Sequence, residues 1–189
     1  MSLEIRPLGL AGVLEVTPTR FGDHRGFFTE SWNAARFAEH GLDAQWCQDN
    51  HSFSADVHTL RGLHFQIPPF AQTKLVRVIT GAVFDVAVDI RVGSPTFGRW
   101  TGVTLKAETG NQVIVPKGFA HGFLTLTPDV HITYKVDAPY SGDHDRSIAW
   151  NDQMIGIDWP LDGVQPKLSG KDQAAGLLAD TATGFRFGA

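Results

Sequence analysis

Between Lys74 and Ile90 the chain runs through two stretches of β-branched and apolar residues interrupted at Gly81. Lys74–Thr80 and Ala82–Ile90 therefore read as consecutive strands joined by a tight turn. Such residues suit a pleated backbone, and glycine reverses it without a steric penalty. In the second run Val83, Asp85, Ala87 and Asp89 share one face, and Phe84, Val86, Val88 and Ile90 share the other. One face is wholly apolar. The other carries two acids, which leaves two readings open: a wet cavity in which Asp85 partners a cation, or acids turned to solvent.

The same pattern recurs at Leu3–Arg6, Val13–Thr19, Arg99–Leu105, Gln112–Val115, Phe119–Leu126 and Val130–Val136. A strand every 8 to 12 residues or so, bounded by glycine and proline, predicts a sandwich or barrel and not a βαβ sheet. Helices are expected at Asn33–His40, with Asn33 as cap, Phe37 as apolar anchor and Gly41 as stop, and near Lys171–Ala179. A chain of 189 residues suffices for one well-buried domain. We place that domain at residues 1–180, followed by a tail, 181–189, that is small and polar apart from Phe185 and Phe187. The tail is either loose or docked on a partner subunit.

Composition excludes several classes. The net charge is −4 with no basic run, which argues against nucleic acid as a partner, so any anionic ligand must be met by individually placed arginines and lysines. The single cysteine, Cys47, rules out an internal disulfide and a thiolate zinc cluster. No apolar leader opens the chain and no run approaches membrane-spanning length, so a cytoplasmic location and no membrane partner are expected. Thirteen Phe and five Trp supply much apolar area for a core or a subunit interface.

Two histidine segments carry the chemistry. Gly110-Asn-Gln-Val-Ile-Val-Pro116-Lys-Gly118-Phe-Ala-His121 resembles the second signature of the cupin superfamily, with Thr125 where an asparagine is common. The first signature normally offers His-x-His and then Glu; this chain has His64-Phe65-Gln66 and no acid from there to Gly81. A transition metal wants about three converging protein ligands. Two histidines without the rest point to acid–base work, with no metal and no cofactor.

A more specific resemblance spans about Leu3 to Leu178, to the dTDP-4-dehydrorhamnose 3,5-epimerases. It rests on Asp23-His-Arg25-Gly-Phe27-Phe28-x-Glu30, Gln48-Asp-Asn50, Arg61-Gly-Leu-His64-Phe-Gln66 and Gln72-Thr-Lys74-Leu-Val-Arg77. Further on come Pro116-x-Gly118-x-Ala-His121-Gly-Phe, Tyr134-Lys135, Trp150-Asn-Asp152 and Leu168-Ser-Gly-Lys171-Asp172. Each motif alone is weak; their combination and order are specific.

The resemblance implies an all-β cupin-type jelly-roll barrel with short flanking helices, a homodimer, and a dTDP-linked 4-keto-6-deoxyhexose as substrate. It implies inversion at C3 and C5 through an enolate, which requires a base, an acid on the opposite ring face and a positive group near the C4 oxygen. His64 is the implied base with Asp172 as its partner, Tyr134 the acid and Lys74 the enolate stabiliser. Arg25, Phe27, Glu30, Gln48, Asn50, Arg61, His121, Tyr140 and Lys171 are implied around the sugar and nucleotide. Taken by themselves these residues read more plainly: Tyr134 as a core tyrosine, Asp172 as a helix cap, Lys74 as a snorkelling strand end, Arg25 as a turn residue. Two departures stand out. Pro139 occupies a position where a stacking aromatic is common, and Phe65 replaces a tyrosine beside His64. Rival readings are an epimerase acting at C3 or C5 alone, a non-catalytic nucleotide-sugar-binding cupin, and a metal-dependent cupin enzyme.

Overall fold

The computed structural model describes residues 2–188. Its strands are β1 (Leu3–Pro7), β2 (Leu14–Pro18), β3 (Arg20–Asp23), β4 (Gly26–Thr29), β5 (Gln48–Ser54), β6 (Leu60–Gln66) and β7 (Lys74–Thr80). They continue with β8 (Ala82–Asp89), β9 (Trp100–Lys106), β10 (Gln112–Val115), β11 (Phe119–Thr125), β12 (Val130–Val136) and β13 (Asp145–Ser147). Two short helices are α1 (Ala34–Ala38) and α2 (Gly170–Gln173).

The strands form two antiparallel sheets, ordered β1-β2-β10-β7-β12-β5 and β13-β6-β11-β8-β9, and a small hairpin of β3 with β4. The expected barrel is corrected here: the two sheets are consistent with a cupin-like fold but are not closed on one another. Each ends in edge strands, β1 and β5 in the first and β13 and β9 in the second. The physical reason is visible at one seam. The backbone of edge strand β5 is met by a side chain and not by another strand: Arg61, on β6 of the opposing sheet, donates from Nη2 to Phe53 O at 2.8 Å and from Nε to Ser54 Oγ at 3.2 Å. A guanidinium thus takes one carbonyl of that edge, where a neighbouring strand would have supplied an N–H.

The sheets pack over an apolar core that takes Val76, Val78, Val113 and Ile132 from one and Val83, Ala87, Val103, Leu105 and Phe123 from the other. The second face of the five-stranded sheet, with Phe84, Val86, Val88 and Ile90, is covered by the C-terminal segment through Ile148, Ile155, Trp159 and Leu178. Burial on both faces explains why β8 and β11 are almost continuously apolar. Gly81 makes the β7–β8 turn at φ +81, where a Cβ would meet Thr127 Oγ1 at 2.4 Å. Of the two readings of the acidic face, solvent exposure is excluded: Asp85 and Asp89 are both buried. Asp89 accepts from Arg91, Ser94 and Thr96.

Asn33 caps α1, accepting from Arg36 N, and Phe37 is buried beneath it. The helix expected at Lys171–Ala179 is only one turn, α2, with a separate 3₁₀ turn at Leu178–Asp180. Between them Gly176 bridges to Ile148, and its carbonyl accepts from Ala149 N at 2.7 Å. That backbone bond takes the segment out of the helix. The tail as far as Gly188 lies along its own chain, Ala189 being outside the described residues: Val92 and Arg186 form a parallel bridge and Phe185 packs on the second core cluster.

Candidate functional site

Two cavities of about 300 and 220 Å³ lie between the sheets on the Arg61 side and share His64, Lys74 and Tyr134. The larger is also lined by Gln48, Asn50, Gln66, Tyr140, Asp145 and Lys171, the smaller by Arg61, His121, Ser169 and Asp172. His64 comes from the five-stranded sheet, Lys74 and Tyr134 from the six-stranded one. An imidazole thus faces a phenol and an ammonium across the gap that the open seam leaves.

The glycines of the motifs place the two histidines side by side. His64 and His121 are cross-strand partners on β6 and β11. Just beyond them the strands approach so closely that a Cβ on Gly62 would lie 2.6 Å from Gly122 Cα. Gly62, at φ +132, and Gly122 are therefore required by contact between the backbones that carry the imidazoles.

Each histidine has a carboxylate. His64 Nε2 lies 2.5 Å from Asp172 Oδ1. Asp172 is buried on α2, where Ser169 both caps the helix turn, accepting from Asp172 N, and donates to Asp172 Oδ2 at 2.8 Å. Burial acts to raise the Asp172 pKa, but the hydrogen bond and charge of His64, the Ser169 hydroxyl and the Lys171 charge together hold it below the usual carboxylate value. An ionised Asp172 can only accept, so His64 carries its hydrogen on Nε2 and its basic lone pair on Nδ1. His121 Nε2 stands 2.9 Å from both oxygens of Asp85.

Lys74 opens β7 with its Nζ donating to His64 O at 3.4 Å. Part of its side chain faces the cleft, yet the surrounding protein withdraws the ammonium from water and lowers its pKa from 10.5 to about 8. The Asp145 and Asp85 charges oppose that fall and Lys171 adds to it. Tyr134 is pushed the other way: burial raises its phenol above 10.0, Arg61 opposes the rise, and Asp145 adds to it. At neutral pH the cleft therefore holds a cationic lysine and a neutral phenol.

Tyr140 is exposed at the cavity and its hydroxyl donates to Asp145 Oδ2 at 3.3 Å; Lys171 forms an ion pair with the same carboxylate. Gln48 Nε2 donates to Asn50 Oδ1 at 2.8 Å. Three residues named from the sequence do not line these cavities. Arg25 pairs with Asp23 at the turn of the β3–β4 hairpin, Phe27 is 57% exposed on it beneath the Arg20 guanidinium, and Glu30 pairs with Arg36. Sequence reasoning missed Asp145, which no local pattern distinguishes in Asp143-His-Asp145-Arg, and Ser169, which the Ser-x-x-Asp spacing before α2 does signal. Among the described residues no group of three His, Cys, Asp or Glu side chains converges as a metal site, and Gln66 is engaged with backbone groups. No helix among them is long and apolar enough to cross a membrane.

An imidazole–carboxylate pair facing a phenol and an ammonium, between the open sheets of a cupin-like domain, is a set of groups able to take and return protons on a small polar molecule. The chain belongs to the dTDP-4-dehydrorhamnose 3,5-epimerase family, whose model matches residues 7–180. It is 49% identical over 180 residues to a dTDP-4-dehydrorhamnose 3,5-epimerase of Sinorhizobium fredii, covering 95% of this chain and 92% of that one. The structure of a dTDP-6-deoxy-D-glucose-3,5-epimerase from Legionella pneumophila, in complex with dTDP-4-keto-L-rhamnose, superposes with a TM-score of 0.94 at 44% identity and covers 100% of both chains. A 3'-monoepimerase from Streptomyces bikiniensis in complex with dTDP-quinovose gives a TM-score of 0.86 at 36% identity, over 92% of this chain and 87% of that one.

Proposed function

We propose that this chain epimerises dTDP-4-dehydro-6-deoxy-D-glucose at C3 and C5 to give dTDP-4-dehydro-L-rhamnose. The observation that carries the reading is the arrangement of His64, with Asp172 behind it, on one sheet and Tyr134 and Lys74 on the other, all lining the same space. Both carbons are adjacent to the C4 ketone, so loss of either proton leaves an enolate with its charge on O4. His64 Nδ1 takes the proton, and Asp172 stabilises the imidazolium that forms. The Lys74 ammonium stabilises the enolate oxygen in a low-dielectric cleft. Tyr134 returns a proton to the carbon from the opposite ring face, which inverts it, and is itself reprotonated from solvent.

Gln48, Asn50, Arg61, His121, Tyr140 and Lys171 bind the sugar and the dTDP around that centre. Arg25, Phe27 and Glu30 do not line either of these two cavities. A role for them at the nucleotide therefore requires them to reach the cleft of a second copy, which a homodimer supplies; exposed Phe21, Phe27 and Phe28 give the hairpin an apolar surface for that contact.

The test is deuterium incorporation from D2O into the dTDP-sugar, followed by NMR. Exchange at C3 and C5 with formation of the L-rhamno product supports the reading. Exchange at one carbon alone assigns a mono-epimerase, and tight binding with no exchange refutes catalysis.

A further inference from the structure

The segment joining β12 to β13 carries Tyr140, which lines the larger cavity. Four consecutive residues of that segment are held by glutamine side chains. Ala138 O accepts from Gln72 Nε2 at 2.8 Å and Pro139 O from Gln66 Nε2 at 3.1 Å. Tyr140 N donates to Gln48 Oε1 at 3.1 Å and Ser141 N to Gln66 Oε1 at 2.7 Å. These side chains come from β5, from β6 and from the residues just before β7, so the segment takes its place from both sheets.

Gln66 is central among them. It is buried, it brackets Tyr140 by binding the residue before and the residue after, and its Nε2 also donates to Phe70 O at 2.7 Å. A primary amide supplies a donor pair and an acceptor in one plane; a carboxylate of the same shape would set its charge against two carbonyl oxygens. His64 and Gln66 are two residues apart on one strand, hence on the same face and about 6.6 Å apart along it. The strand that carries the imidazole thus also fixes the loop that carries Tyr140.

We propose that Gln66 is a positioning residue, acting through Tyr140 to set where the dTDP-sugar lies relative to His64; this rests on the epimerase reading above. Its effect falls on substrate docking more than on proton transfer, because the hydrogen bonds it makes are to loop backbone and the His64, Lys74 and Tyr134 side chains are not among its partners.

The test is a double-mutant cycle of Gln66→Glu with Tyr140→Ala. In the wild-type background Q66E raises KM about tenfold, equal to ~1.4 kcal/mol and comparable to one net hydrogen bond, while kcat falls less. With Tyr140 already alanine, Q66E adds less than about twofold. Gln72→Glu, which loosens the same loop at Ala138 from a less buried position, shows the same non-additivity and serves if Q66E folds poorly. The same proteins titrated calorimetrically with dTDP test the clamp without turnover. Penalties that add in full, or a Q66E effect on kcat with KM unchanged, overturn the clamp. Wild-type protein that binds dTDP but incorporates no deuterium refutes the epimerase reading alone.

Discussion

Replacing Lys74 by methionine separates what this residue costs the fold from what it contributes to the chemistry. Its pKa falls from 10.5 to about 8, so the folded protein disfavours the ammonium by about 3 kcal/mol relative to the unfolded chain. The folded pKa lies below the unfolded one. The penalty is therefore complete below about pH 8 and fades as pH rises from about 8 to 10.5, a window in which the wild type gains stability from this group. Lys74→Met keeps the length of the side chain and removes the charge. Denaturant unfolding at pH 7 should show the variant more stable by roughly 1–3 kcal/mol, with the advantage shrinking towards pH 10. Deuterium exchange at C3 and C5 should fall by about 10²–10³, the cost of deleting one donor to a developing oxyanion. In the wild type kcat/KM should decline as pH rises through about 8, where the lysine loses its proton; Tyr134, pushed above 10.0, cannot produce that limb. An exchange rate in Lys74→Met equal to wild type, or an unchanged rate well above pH 9, would refute the assignment of the ammonium to the enolate oxygen.

Other outcomes follow from the same cleft. His64→Ala should abolish exchange at both carbons, a loss of about 10²–10⁴-fold or more, while calorimetry shows dTDP still bound. Asp172→Asn should lower exchange by a comparable factor, since an amide facing His64 Nε2 favours the wrong tautomer; a wild-type rate would show that the 2.5 Å contact is structural only. Tyr134→Phe should retain deuterium exchange on at least one carbon yet fail to form the L-rhamno product by NMR. If the hairpin of one protomer serves the cleft of the other, mixing inactive Arg25→Ala and His64→Ala proteins should restore activity, up to about a quarter of wild type for random pairing of two protomers. No recovery after subunit exchange, with Arg25→Ala alone inactive, would place Arg25 at its own chain's cleft and refute the shared site.

Much of the fold was legible where a strand is buried on one side or both. Gln112–Val115 and Val130–Val136 have the observed bounds, and the β7–β8 hairpin turns at Gly81 as read. β5 escaped notice because Gln48–Ser54 is an edge strand along the cleft, with polar residues on both faces and hence no apolar alternation. The β3–β4 hairpin was missed for a related reason: its aromatics point outward and signal no core. Closure of the sheets was not readable at all. It depends on whether edge strands distant in the chain meet, which no local pattern encodes; at β5 an arginine side chain from β6, not a strand, reaches Phe53 O. The site was legible only as motifs. Nothing local in Lys171-Asp172 points to His64, because the pairing exists only once α2 is folded against β6.

The protein presents two imidazole–carboxylate pairs in register, and access distinguishes them. Asp172 and Asp85 are equally buried, at 2% and 1% side-chain exposure, and both hold their histidine through Nε2. His64 is 30% exposed to the cleft, whereas His121 is 9% exposed and packs near Phe123. A base must release its proton to solvent after each inversion or the site stalls, so the exposed imidazole is suited to proton transfer and the enclosed one to a fixed hydrogen bond.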